Sequence, residues 1–262
     1  MAEKKHSDGI IQPRRGKGDP RLAPDVLMVM IPGELQYLAQ KSGAIKTVFS
    51  NMRIYDLYRT QGEKKASVTL AGPFIGAPLA VMGMEKLVAM GAERFLVLGW
   101  CGSIQPFLEI GDLVIPTHAV SEEGTSQHYP TASNNPAADA ALIRILETSL
   151  EERKTPFTKG PIWTTDAIYR ETPEKVKAYQ QQNILAVEME ISALLAVSSF
   201  RAVPMAALLV VSDELSSLKW RPGFSDGRLK KMSRAAAETL LEVHQYLGQA
   251  EIDSEQPSNE PG

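Results

Sequence analysis

Two hydrophobic patterns alternate along this chain: short unbroken apolar runs, and stretches in which apolar residues return every three to five positions. Val26-Leu27-Met28-Val29-Met30-Ile31 is an unbroken run that stops at Pro32-Gly33, which predicts a buried strand. Ser67-Val68-Thr69-Leu70-Ala71 predicts a second strand ending in Gly72-Pro73. Leu79, Met82, Leu87 and Met90 then recur at helical spacing, and Gly91 is a natural stop. Phe95-Leu96-Val97-Leu98 reads as a strand running into Gly99-Trp100-Cys101-Gly102, and Leu113-Val114-Ile115 as a short strand ended by Pro116. Further on come a strand near Ile184, a helix from Met189 to about Phe200, a strand over 207–211, and a long amphipathic helix from about Gly227 to Tyr246. Strands alternating with helices predict an α/β sheet covered on both faces.

Two of these predicted strands run straight into acids. Ile184-Leu185-Ala186-Val187 leads into Glu188-Met189-Glu190, and Ala207-Leu208-Leu209-Val210-Val211 leads into Ser212-Asp213. In open α/β sheets the ligand crevice lies at the carboxyl ends of the strands. A carboxylate there accepts from sugar hydroxyls or gives a proton to a leaving group. The same acids also suit the first turn of a helix, and the pattern leaves both roles open.

Composition narrows the class. A chain of 262 residues with 44% hydrophobic and 23% charged residues is ordinary for a globular protein with a substantial core. A net charge of −3 gives no electrostatic case for nucleic acid or an anionic membrane. Cys101 is the single cysteine, so no intrachain disulfide forms. No signal-peptide core and no membrane-length apolar segment is present, so a cytoplasmic location is expected. Residues 1–24, with Lys4, Lys5, Arg14, Arg15 and Lys17 among Gly and Pro, are expected to form a loose arm. A single domain is expected over 25–249, and a disordered tail, rich in Glu, Ser and Pro, over 250–262.

Gly33 and the Gly99–Gly102 segment are places where backbone can approach a ligand, and their amides suit an anion. Neither matches a dinucleotide or nucleoside-triphosphate loop. His6, His118, His128 and His244 are scattered without metal spacing, and no G-x-S-x-G elbow occurs. Cys101 reads better as a small packed residue than as a nucleophile. Trp163-Thr164-Thr165-Asp166 and Ile168-Tyr169-Arg170-Glu171 together suit the wall of a pocket for a planar ligand, or a capped turn.

Taken in order, these segments resemble the nucleoside phosphorylases of the purine- and uridine-phosphorylase type, over about residues 26–247. The resemblance is carried by Pro32-Gly33; Met52-Arg53-Ile54-Tyr55 and Tyr58-Arg59; Gly76-Ala77-Pro78; Gly99-Trp100-Cys101-Gly102-Ser103-Ile104-Gln105; Gly111-Asp112; Glu123-Gly124-Thr125-Ser126-Gln127-His128-Tyr129; Thr165-Asp166-Ala167-Ile168-Tyr169; Val187-Glu188-Met189-Glu190; and Val211-Ser212-Asp213. It implies a three-layer α/β/α fold around a central mixed, partly closed sheet. It also implies cleavage of a nucleoside's N-glycosidic bond by inorganic phosphate as co-substrate, with no metal or organic cofactor.

The resemblance assigns roles residue by residue. Glu190 and Met189 would hold the ribose, with Glu188 near it and His128 in the loop closing over it. Asp213 and Ser212 would face the base, Asp213 protonating N7 of a purine, with Ile168 and Tyr169 at the base's face. Gly33, Arg53, Gly99 and Trp100 occupy phosphate-site positions. Arg53 would reach the site of a neighbouring subunit, which implies a homodimer assembling to a homohexamer. Asp213 favours a purine over a pyrimidine.

Departures from the pattern accompany the matches. Val97 and Trp100 stand where the family has an Arg and a Ser or Thr, and Gly33-Glu34-Leu35-Gln36-Tyr37 lacks the Arg that usually follows the first glycine. A nucleosidase using water in place of phosphate, and a nucleoside-binding protein without turnover, are the rival expectations.

Overall fold

The computed structural model describes residues 9–49, 54–60, 67–131 and 136–255. Among these residues ten strands form one mixed sheet in the order β10-β9-β6-β7-β8-β5-β1-β4-β3-β2, and β9 also pairs with β5. The strands are β1 (Asp25–Val29), β2 (Ile45–Lys46), β3 (Asp56–Arg59), β4 (Thr69–Gly72), β5 (Arg94–Ser103), β6 (Leu113–Glu122), β7 (Phe157–Thr165), β8 (Ala186–Glu188), β9 (Met205–Glu214) and β10 (Arg221–Pro222). The extra β9–β5 pairing closes β5, β9, β6, β7 and β8 into a ring, while β1 to β4 remain an open flank. The expected α/β architecture with a partly closed mixed sheet is therefore present.

Alternation along the central strands feeds two cores. Val26 and Met28 of β1, with Phe95 and Val97 of β5, face α2 (Ala77–Ala89) and α5 (Ile191–Arg201). Leu27 and Val29, with Leu96 and Leu98, face α1 (Pro32–Ser42), α3 (Ala140–Glu152) and α6 (Gly227–Glu255). A parallel strand covered on both faces must be apolar at every position, which is why β1 and β9 read as unbroken runs rather than alternating ones. A smaller cluster of Ile104, Trp163, Val176 and Leu215 lies under α4 (Pro173–Gln181).

Several boundaries differ from expectation. β5 does not stop at Gly99 but continues through Gly102 in pairing with β9, with a register shift between Cys101 and Gly102 that skips Ser212. A Cβ on Gly99 would come 3.0 Å from Leu209 Cδ2, and one on Gly102 would come 2.7 Å from Leu215 Cδ1. These glycines thus serve close packing within a strand and not a turn. β6 likewise runs through Pro116, where its register against β7 shifts, as a residue without an N–H requires. Pro32 and Gly33 open helix α1, with proline in its first turn where the missing N–H costs nothing. Residues 14–22, read from the sequence within a loose arm, are pinned: Leu22 is buried, its N–H reaches Met90 O at 2.9 Å, and Lys86 binds Arg14 O and the Asp19 carboxylate.

Candidate active site

The sheet opens at one place along β5. β1 pairs with β5 as far as Leu98, and β8 takes over on the same edge at Gly102. Residues 99–101 lie between, at the carboxyl end of β1, where a sheet of this type has its ligand crevice. Gly102 pairs with Val187 on one side and Asp213 on the other, so the acids that follow β8 and end β9 flank the same glycine. Its missing side chain matters, since a Cβ there would stand 3.1 Å from Asp213 Oδ2 and 3.4 Å from Val187 Cγ1.

On the β8 side the two glutamates do different work. Glu188 is buried, with one carboxylate oxygen accepting from the Thr164 hydroxyl. Its other oxygen accepts from the backbone N–H groups of Glu190 at 2.6 Å and Ile191 at 2.8 Å. It therefore caps α5, which is the helix-cap alternative left open above. Burial first, and the Glu190 carboxylate second, push Glu188 up to about 8. Glu190, also buried, accepts from Gly76 N at 2.5 Å, at the amino end of α2, and burial pushes it up to about 7. Met189, beside it, is half-buried.

His128 sits exposed in a single helical turn, Ser126–His128, held by a buried acid that the sequence reading did not single out. Glu123 accepts from Ser192 Oγ of α5 at 2.9 Å, from Ser121 Oγ at 2.8 Å, and from Thr125 N and Ser126 N. Burial alone would raise this carboxyl, but those hydrogen bonds outweigh it and hold Glu123 below its ordinary range. The loop carrying His128 is thereby tied to the helix that Glu190 leads.

On the β9 side, Asp213 is half-buried rather than desolvated. Ser212 Oγ donates to its Oδ1 at 2.7 Å, and the indole Nε1 of Trp220 donates to its Oδ2 at 2.9 Å. Glu171, in the segment before α4, lies within electrostatic reach of it. Burial, then repulsion from Asp213, push Glu171 up to about 7. Ile168 and Tyr169 belong to the short helical turn just ahead of Glu171 and are both exposed. Cys101 is fully enclosed, and burial followed by the Asp213 and Glu188 charges pushes its thiol up, so it packs as a neutral side chain.

The phosphate-site positions are more dispersed. Gly33 is exposed at the start of α1, with open space where a Cβ would stand. Arg53 lies outside the described residues. Val97 is buried in the core, and Trp100 turns its indole toward α6, donating to Ser233 Oγ at 2.9 Å with its ring 6.0 Å from Phe224. A guanidinium unforeseen from the sequence stands near Gly33: Arg234 of α6 lies 3.5 Å from Gly33 O, pairs with Glu34 at 2.8 Å and stacks over Tyr37. Among the described residues no group of His, Cys, Asp and Glu side chains is arranged to hold a metal ion, and no helix is long and apolar enough to cross a membrane.

Glu171 and Trp220 are, with Glu123 and Arg234, residues that sequence reading passed over as individuals. Glu171 stood inside a segment singled out only for its composition. Trp220 gave no signal beyond being an aromatic in a polar stretch seven residues after Asp213.

The chain is similar to known proteins. A guanosine phosphorylase of Halorubrum lacusprofundi is 30% identical over 67% of this chain and 73% of its own length. A uridine phosphorylase of Treponema pallidum is 29% identical over 70% of this chain and 76% of its own. The fold is shared with purine nucleoside phosphorylase from Toxoplasma gondii, solved with immucillin-H, at a TM-score of 0.80 and 19% identity, covering 94% of this chain and all of that one. The model of the phosphorylase superfamily matches residues 24–244, from the start of β1 into α6, and the chain belongs to that superfamily, among the nucleoside phosphorylases.

Proposed function

We propose that this protein cleaves the N-glycosidic bond of a purine nucleoside by phosphorolysis, releasing the free base and ribose 1-phosphate. The observation that carries the purine reading is the acidic end of β9: Asp213, held by Ser212 and Trp220, with Glu171 within its electrostatic reach. Breaking the C–N bond develops positive charge on the sugar and negative charge on the departing base. An oxygen of phosphate forms the new bond to C1′ as the bond to the base nitrogen breaks. The base leaves with the bonding electrons and takes a proton at N7 from Asp213. Glu190, anchored by Gly76, offers its carboxylate to the ribose hydroxyls and lies where negative charge steadies the sugar cation. Met189 lies against the sugar, with His128 over it and Ile168 and Tyr169 along the base. Glu171 adds a second acid at the base edge, suited to ring N–H donors of a 6-oxopurine, in keeping with the name of the guanosine phosphorylase relative.

On the phosphate side, Arg53 is the family-matched cation, reaching a neighbouring subunit in a dimer-built hexamer, and Arg234 places a second guanidinium beside Gly33. A hydrolytic reading is favoured by one feature, that Val97 is buried and the single donor of Trp100 is taken by Ser233, which leaves fewer ligands for a dianion. The test is base release from guanosine, inosine, adenosine and uridine, each with and without phosphate. Purine nucleosides turned over in phosphate support the reading. Preferential turnover of uridine overturns the purine assignment.

A further inference from the structure

We infer that Trp220 is a positioning residue for Asp213, fixing the carboxyl group that protonates the departing base. The inference rests on the reading of Asp213 as that acid, and it starts from how the chain is folded to bring an indole there. After β9 the chain doubles back, and β10 pairs with it so that Arg221 lies opposite Glu214 and Pro222 opposite Asp213. The Arg221 guanidinium holds Glu214 at 2.9 Å, and Glu214 in turn accepts from Ile110 N at 3.1 Å. Gly223 N donates to Ser212 O at 2.9 Å, in a fit so close that a Cβ on Gly223 would stand 2.6 Å from that oxygen and from Ile110 Cγ2. At the other end of the hairpin, Leu215 N reaches Ser103 O at 2.8 Å and Gln180 Nε2 reaches Ser216 O at 2.9 Å. A hairpin clamped at both ends carries Trp220 to Asp213.

The tryptophan itself is 62% exposed, so core packing does not explain it. It is held by its hydrogen bond to Asp213 and by Phe224, whose ring centroid is 6.3 Å away. An indole N–H donates and never accepts. Facing Oδ2, it fixes the plane of the carboxyl group. Ser212 is different, because its hydroxyl lies within reach of both Asp213 Oδ1 at 2.7 Å and Cys101 O at 3.3 Å. When Asp213 carries a proton on Oδ1, the serine oxygen accepts it and the serine hydrogen turns to the Cys101 carbonyl. Trp220 thus holds one oxygen still while Ser212 follows the protonation of the other. The remaining charges around Asp213 are Glu171 ahead of α4, the paired Glu214 and Arg221 on the hairpin, and, beyond the buried Cys101 thiol, Glu188 on β8.

Trp220→Phe keeps the ring and removes only the donor, at an exposed position where folding does not depend on it. With a purine nucleoside, the plateau rate should fall about tenfold to a hundredfold. The loss should fall on kcat, with KM changed by less than about threefold, because only the donor that orients the carboxyl group is gone. A Trp220→Phe enzyme of unchanged kcat, or one whose loss falls on KM alone, overturns the inference. A second readout needs no turnover: the Trp220 fluorescence, taken as wild type minus Trp220→Phe, should shift in Asp213→Asn. An unshifted signal there overturns the link between the two residues. Full activity of Asp213→Asn, with the fluorescence link intact, would remove the acid role of Asp213 and leave the contact standing.

Discussion

Glu188 accepts the backbone N–H of Glu190 at 2.6 Å, so the first acid of the Glu188-Met189-Glu190 segment fixes where the second one sits. The consequence is a division of labour: Glu188 builds the helix end, and Glu190 is left to accept from Gly76 N at the amino end of α2. Glu188→Gln should preserve this geometry, with the amide oxygen accepting the two backbone N–H groups and the amide N–H₂ donating to Thr164. We expect activity within about tenfold of wild type, measured as kcat/KM, whereas Glu188→Ala should cost about 0.5–2 kcal/mol of stability, as lost helix caps do.

The same pair makes stability depend on pH. Glu188 and Glu190 are raised from 4.5 to about 8 and about 7, so between those limits the folded chain binds protons more tightly than the unfolded chain. Their contribution is fully present below about pH 4.5 and is lost as pH rises through 7 to 8. The melting temperature should therefore decline less between pH 6 and 8.5 in Glu188→Gln than in wild type. Parallel curves for the two proteins would show that Glu188 does not titrate in this range.

Glu190→Gln should weaken nucleoside binding about 10- to 100-fold, because a charge-assisted hydrogen bond worth roughly 1.5–3 kcal/mol becomes a neutral one. Calorimetric titration with a slowly reacting nucleoside reads this directly. Unchanged affinity would take Glu190 out of the ribose site.

Glu171 bears on which base is taken. With its carboxyl pushed up to about 7, it is an acceptor above neutrality and a donor below. For guanosine or inosine, kcat/KM should rise with pH through about 7 as the acceptor form appears, and Glu171→Gln should abolish that inflection while costing about 10-fold or more. Adenosine, which has no N1 hydrogen, should be affected less. Equal effects on all three would leave Glu171 without a part in base selection.

The fold was largely legible in the chain, because strands buried on both faces must be apolar throughout, and β1 and β9 are. Helices α2 and α5 announced themselves by spacing, and the superfamily by the order of its short segments. What stayed hidden depends on contacts between distant residues. Gly99 and Gly102 look like a strand end, yet they are there because Leu209 and Leu215 leave no room for a side chain. Pro116 looks like a terminator, yet β6 absorbs it by a register shift. No local pattern tells Glu188, which holds the first N–H groups of α5, from Glu190, which accepts from Gly76 N, and none brings Trp220 back over Asp213 or Arg234 to Gly33.

The central claim is phosphorolysis, and it is tested most directly by the sugar product formed from the best purine nucleoside, with wild type and Arg53→Ala compared with and without phosphate. The account predicts ribose 1-phosphate, a rate that depends on phosphate with weak apparent affinity, and near-complete loss of phosphate-dependent turnover in Arg53→Ala. Free ribose, formed at the same rate with and without phosphate and little changed in Arg53→Ala, would contradict it.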